Sequence, residues 1–232
     1  GPLYVGRSCT SCRRRDGRTK PTLFTSGGTG YDFSSFLVFM KSTNGEFFRD
    51  YGRVLHDHAV FGAQAEGKLN AEYTETCAEF PTEDREKYCL AKPRYWISDW
   101  YTTPPPDDKL VISVRIPLRH VGLGLMLAVD RDELVALSSR TYPAFGITPK
   151  LQWMNERGVW EIGVGGHKAQ HSDLTVELGF WSNLGITNRR FPNNPAEGQP
   201  QVTADDGIEI SDADMADVDF YLQTLGVPER DI

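Results

Sequence analysis

The chain has no uninterrupted apolar run approaching the roughly 20 residues that a membrane-spanning helix needs. Nor has it a basic excess: 25 lysines and arginines stand against 32 aspartates and glutamates, a net charge of −7, which argues against a nucleic-acid surface. No internal repeat is evident. What remains, with 39% hydrophobic residues, suits one or two domains built on an ordinary hydrophobic core.

The chain then divides by pattern. Through about Lys41 it mixes basic residues with Gly27, Gly28 and Gly30 and reads as loop, the run RRRDGRTK being a solvated basic turn. FSSFLVFMKS and GEFFRDYGRVL alternate loosely and read as short strands or strand-like coil. GKLNAEYTETC, KPRYWISDWYT and LVISVRIPL carry the alternation and aromatic content of strands, with PPPDDK a stiff turn before the last. Trp153 and Trp160 around NERG suggest a hairpin.

Helix signals come late. Asp130 with Glu133 makes a capping-box-like start for DRDELVALSS. Ser172 is placed to cap a helix through LTVELGFWSNLGI, and Ser211 caps a final helix whose stripe is Met215, Val218, Leu222 and Leu225 before Gly226 and Pro228 stop it. In RHVGLGLMLAV, Gly122 and Gly124 permit close backbone approach, to a packed neighbour or to a flat cofactor.

The most chemically suggestive stretch is the first, GPLYVGRSCTSCRRRDGRTKP. Cys9 and Cys12, three residues apart, can form a local disulfide, half of a zinc site, a redox dithiol, or two thioether bonds to a haem. The haem reading normally has histidine next, as the proximal iron ligand. Here the residue is Arg13, whose guanidinium stays protonated and offers no lone pair. The basic neighbours Arg13, Arg14 and Arg15 would favour a thiolate if the pair were redox-active.

GPLYVGRSCTSCRRRDGR resembles the first haem-binding stretch of the bacterial di-haem oxidoreductases, often called putative thiol oxidoreductases and related to di-haem cytochrome c peroxidases. It keeps Gly1, Pro2, Leu3, Ser8, Cys9, Cys12, Arg15, Asp16, Gly17 and Arg18 and departs at Arg13. RVLHDHAVFGAQAEGKLNAEYTE, KPRYWISD, RHVGLGLMLAVDRDELVAL, GGHKAQHSDLTVELGFWSNLGITNRRFP and SDADMADVDFYLQTLGVPERD resemble later segments of the same family in the same order. The likeness covers nearly the whole chain.

The resemblance implies an α+β fold: a single partial domain over 1–232, with a degenerate cytochrome c-like helical part and a β-rich, loop-rich insertion. Residues 1–41 would be the degenerate haem-motif region, 42–165 the insertion and 166–232 the helical part. It also implies an upstream helix and a downstream haem domain outside these residues. By the same analogy the chain works outside the cytoplasm, periplasmic or secreted. That setting, with the loop AEFPTEDREKY between them, makes a Cys77–Cys89 disulfide the expectation over two free thiols.

Five histidines are the remaining ligand stock. His120, just before the glycine pair, is a weak candidate for a replacement axial iron ligand, with Met126 behind it; a buried structural role is the plainer reading for each. His56 and His58 flank Asp57 at a spacing that in a strand would put both rings on one face, a weak metal candidate against a hydrogen-bonded pair. His167 and His171 stand at i, i+4, a metal pair only if a helix reaches back to His167.

Three functions follow. The favoured one is a non-catalytic relative without haem, or poor in it, acting as a structural or docking subunit beside other protein subunits. The first alternative is a c-type haem electron-transfer or peroxidase-like protein with haem on Cys9 and Cys12, working with a redox protein or a separate haem-bearing chain. The second is a dithiol oxidoreductase. No catalytic residue is assigned and no resident cofactor is expected on the favoured reading, haem c being the cofactor of the alternative.

Overall fold

The computed structural model describes residues 1–6, 36–81, 85–117, 119–156, 158–166, 168–174, 184–193, 198–201, 207–227 and 229. Its strands are β1 (Leu3–Tyr4), β2 (Leu37–Ser42), β3 (His58–Ala59), β4 (Lys68–Glu79), β5 (Lys87–Ser98), β6 (Leu110–Arg115), β7 (Trp153–Glu156) and β8 (Val159–Ile162). Its α-helices are α1 (Leu123–Leu127), α2 (Arg131–Ser138) and α3 (Asp212–Thr224).

Among the described residues every sheet has two strands, all antiparallel: β1 with β3, β2 with β6, β4 with β5, β7 with β8. Small sheets cannot bury two faces, so the main core forms where two of them meet. Val38 and Met40 from β2, Leu69 from β4, Ile97 from β5, and Tyr51 and Leu55 from the connecting turn make one buried cluster. Residues 46–55 run as turns rather than strand, with a single bridge from Phe39 to Val54.

A second cluster joins the helices. Leu123 of α1, Leu174, and Met215 and Leu222 of α3 are buried together. Here Gly124 is required by packing, because a Cβ on it would stand 2.0 Å from the Gln223 carbonyl oxygen. The glycine pair thus serves helix contact. The caps are as the sequence suggests: Asp130 accepts from the Asp132 amide at 2.9 Å and Ser211 from the Asp214 amide at 3.1 Å.

The expected cytochrome c-like helical part is not what the chain forms. The described residues are mostly strands and loops with three small helices. Within 166–232, α3 is the one helix given end to end among the described residues, while 168–173 form turns and a Gly165–His171 bridge. Glycine geometry explains part of this. Gly163 lies so close to the Ala169 carbonyl that a Cβ would be 1.9 Å from its oxygen, and Gly166 and Ala169 both have positive φ, 77° and 49°. Such a loop folds back on itself, so helix begins only at Leu174, and most of the Ser172-capped segment lies outside the described residues.

The feature that dominates the described chain is the β4–β5 hairpin, twelve residue pairs from Lys68–Ser98 to Glu79–Lys87. Leu69, Ala71, Tyr73, Tyr95 and Ile97 share one face and reach the core. Beyond Tyr73, Thr74 to Glu79 are exposed on both sides of the strand. The outer hairpin is an arm standing clear of the core.

Candidate functional site

Three places bear on function: a buried histidine and glutamate beside the main core, the outer arm, and the segments that carry the remaining histidines. The first is built by the turn Tyr51–Leu55 folding over the Glu66 loop. Glu66 is fully buried and His56 is 2% exposed. The Glu66 carboxylate accepts the Gly52 amide at 3.2 Å and the His56 amide at 2.8 Å. His56 Nδ1 lies 3.3 Å from Glu66 Oε2, an ion-pair distance.

The backbone closes the same loop. The Glu66 amide donates to the His56 carbonyl at 2.9 Å and the Tyr101 amide to the Glu66 carbonyl at 3.2 Å. Tyr51 packs edge-on to Trp100 and Tyr101 and donates its hydroxyl to Thr103 at 3.1 Å. Burial first, then the charges of Asp50 and Glu66, pushes the Tyr101 hydroxyl up to about 12, and burial raises Tyr51 further. The cluster is a structural knot: its carboxylate is occupied by amides it must satisfy.

His58 takes a different course from His56. Its Nδ1 is 2.7 Å from Asp57 Oδ1 and its ring stacks on Tyr4 at 5.5 Å, tying β3 to β1. His56 thus faces Glu66 while His58 faces Asp57 and Tyr4. His120 sits in the turn before α1, its carbonyl accepting the Leu123 amide at 3.4 Å, and Met126 is exposed on α1. His171 is half-buried, and burial lowers its pKa against the opposing pull of Asp173. The helix needed to bring His167 and His171 together does not extend over 168–173. His167 itself, with Cys9, Cys12 and Arg13, lies outside the described residues.

The Cys77–Cys89 disulfide is present. The two cysteines oppose each other directly in the β4–β5 register, their Cα atoms 4.0 Å apart. That separation marks a position where the paired residues do not exchange backbone hydrogen bonds. Both sulfurs therefore leave the same face of the arm, the face that holds Leu69 and Ile97 at the base.

Since such positions alternate along a ladder, Pro93, opposite Tyr73, occupies the same kind and lacks a donor only toward the outer edge. Glu72, Glu75 and Glu79 make β4 acidic, and Lys87, Lys92 and Arg94 make β5 basic. Arg94 meets Glu72 at 2.8 Å and Lys87 meets Glu79 at 3.8 Å.

Among the described residues, one group brings three metal-ligating atoms within 4.8 Å of one another: Glu75, Cys77 and Cys89, all exposed. The sequence pointed to the cysteines but not to Glu75 or to Glu66. Strand alternation carried the signal for Glu75, which is two residues from Cys77. For Glu66 the signal was its small neighbours, Ala65 and Gly67, the latter so tightly packed that a Cβ would meet Ile97 at 2.7 Å.

Comparison with protein-family models, with curated proteins and with solved structures gives no match. No helix among the described residues is long and apolar enough to cross a membrane.

Proposed function

We propose that the chain is a non-catalytic relative of the di-haem oxidoreductases, without haem or poor in it, serving as a structural or docking subunit of a larger extracytoplasmic assembly. The arm carries this reading. Its outer half is exposed and packs on no core residue among the described ones, yet it is kept in one shape by the six residue pairs from Thr74–Lys92 to Glu79–Lys87 and a disulfide. A preorganised projection lowers the ordering cost of binding a partner. A disulfide is also the bond that an oxidising compartment maintains.

Further support comes from the open apolar residues outside the arm. Leu125, Phe145, Trp160 and Phe220 are each more than 60% exposed, surface that a partner subunit would cover. The family relationship rests on the order of its motifs, and the absence of haem on Arg13 standing where the iron-holding imidazole would be.

Two measurements test the reading. In a native extract the chain should elute well above its own 26.0 kDa, and a variant with residues 75–91 replaced by a two-residue Asn-Gly turn, which keeps the Thr74–Lys92 register, should elute as the free chain. Elution of the native protein at its own mass would refute a docking role. A pyridine haemochrome spectrum should show no thioether haem; a stoichiometric signal would restore the electron-transfer alternative.

A further inference from the structure

We propose that Glu75, Cys77 and Cys89 form a redox-gated binding site for a thiophilic divalent cation such as zinc, open when the disulfide is reduced and closed when it is formed. The inference rests on the geometry of the arm and is independent of what the arm docks to.

One observation is the ligand set itself. Two sulfurs and a carboxylate oxygen lie within 4.8 Å of one another, and Glu75 Oε1 is already 3.5 Å from Cys77 Sγ. Ligands at ordinary zinc–sulfur and zinc–oxygen distances on one tetrahedral ion stand about 3.5–3.8 Å apart. The carboxylate therefore needs no backbone movement. The sulfurs have only to part by side-chain rotation, because directly opposed cysteines already project from the same face.

A second observation is that the dithiol would stay in place after reduction. Ala78–Tyr88 and Glu79–Lys87 pair beyond the disulfide, the Phe80 amide donates to the Glu86 carbonyl at 3.0 Å, and the Phe80 and Tyr88 rings meet at 4.5 Å. Thr76–Leu90 and Glu75–Ala91 pair on the near side. The tip is thus closed on both sides of the sulfurs. Lys87, on the same face, is 3.8 Å from Glu79. All three ligands are exposed, which leaves water access for a fourth ligand.

The chemistry balances with a low-molecular-mass thiol as reductant. Two equivalents break the S–S bond and are oxidised to their own disulfide, their two protons passing to Cys77 and Cys89. The cation then displaces both protons and forms two metal–sulfur bonds and one bond to the Glu75 carboxylate.

The test uses the full chain carrying Cys9→Ser and Cys12→Ser, so that no other thiols compete. After reduction by a phosphine and its removal under argon, cadmium is titrated and the ultraviolet sulfur-to-cadmium charge-transfer band is followed, with zinc as competitor. The expected result is one cation per chain, none in the oxidised protein, and affinity weakened about tenfold or more by Glu75→Gln. Circular dichroism should show the reduced hairpin intact. No binding after reduction, equal binding by the oxidised chain, an unchanged affinity in Glu75→Gln, or loss of the hairpin on reduction would each overturn the site.

Discussion

Glu66 Oε2 lies 2.8 Å from the His56 amide nitrogen while the other carboxylate oxygen lies 3.2 Å from that of Gly52, so one buried side chain closes a backbone turn from below. Removing the acceptor leaves two buried amides without partners. Glu66→Ala should therefore cost about 3 kcal/mol in urea unfolding, and Glu66→Gln, which keeps one acceptor oxygen, roughly half of that. Equal stability of all three proteins would mean that the carboxylate does not hold the turn.

The disulfide closes a loop of 12 residues. In the chain-entropy treatment a loop of this size contributes about 3 kcal/mol by restricting the unfolded chain. The Cys77→Ser, Cys89→Ser double variant should lose that amount in denaturant midpoint measurements. Protease cleavage of the exposed outer strands of β4 and β5 should rise while the core resists.

Gly124 and Gly226 form a matched pair of probes. A methyl group at 124 would strike the Gln223 backbone, whereas at 226 nothing lies within 4 Å. Gly124→Ala should destabilise by about 2 kcal/mol or more, in the range of overpacked cores, and Gly226→Ala should change little. Thermal unfolding of both variants decides it.

His171 makes stability sensitive to acid. Burial lowers its pKa in the folded state below the ordinary 6.5, so the unfolded chain takes up a proton that the native chain resists. Stability is fully present above about pH 6.5 and falls as the pH drops through the depressed native value. His171→Gln should flatten urea-unfolding free energies across that window; an unchanged slope would assign the acid sensitivity elsewhere.

At the alkaline end the tyrosines act in the opposite sense. Burial first, then Tyr73, pushes Tyr95 to about 12, and Tyr101 reaches about 12 as well. Raised folded values stabilise the native chain below pH 10 and withdraw that contribution as pH climbs toward 12. Phenolate absorbance near 295 nm should therefore show a late class of tyrosines that titrates early once urea is added.

Much of the strand content was legible because alternation is a local signal. The β4–β5 hairpin, its disulfide, the β7–β8 hairpin and the caps at Asp130 and Ser211 all follow from residues close in sequence. The cytochrome c-like helical part expected over 166–232 is overturned by how little of the described chain is helical; the Ser211-capped helix forms, while at 168–173 contacts between loop segments decide the backbone, as at Gly163 against Ala169. Glu66 was hidden for the same reason: what buries it is the turn 51–56 folding over it, and no periodicity encodes that approach. The histidines read as possible pairs took different partners, His56 turning to Glu66 and His58 to Asp57 and Tyr4.

A ribbon as long as β4–β5, with no third strand paired to it among the described residues, is the kind of element on which other chains add strands and build fibrils. At Pro93 the outward row of donors on β5 is broken, with Lys92 and Arg94 on either side. An incoming strand would find a gap in the template and charge on both sides of it. A long free ribbon can thus persist at high concentration, and Pro93→Val is the change that would turn it toward amyloid-like aggregation.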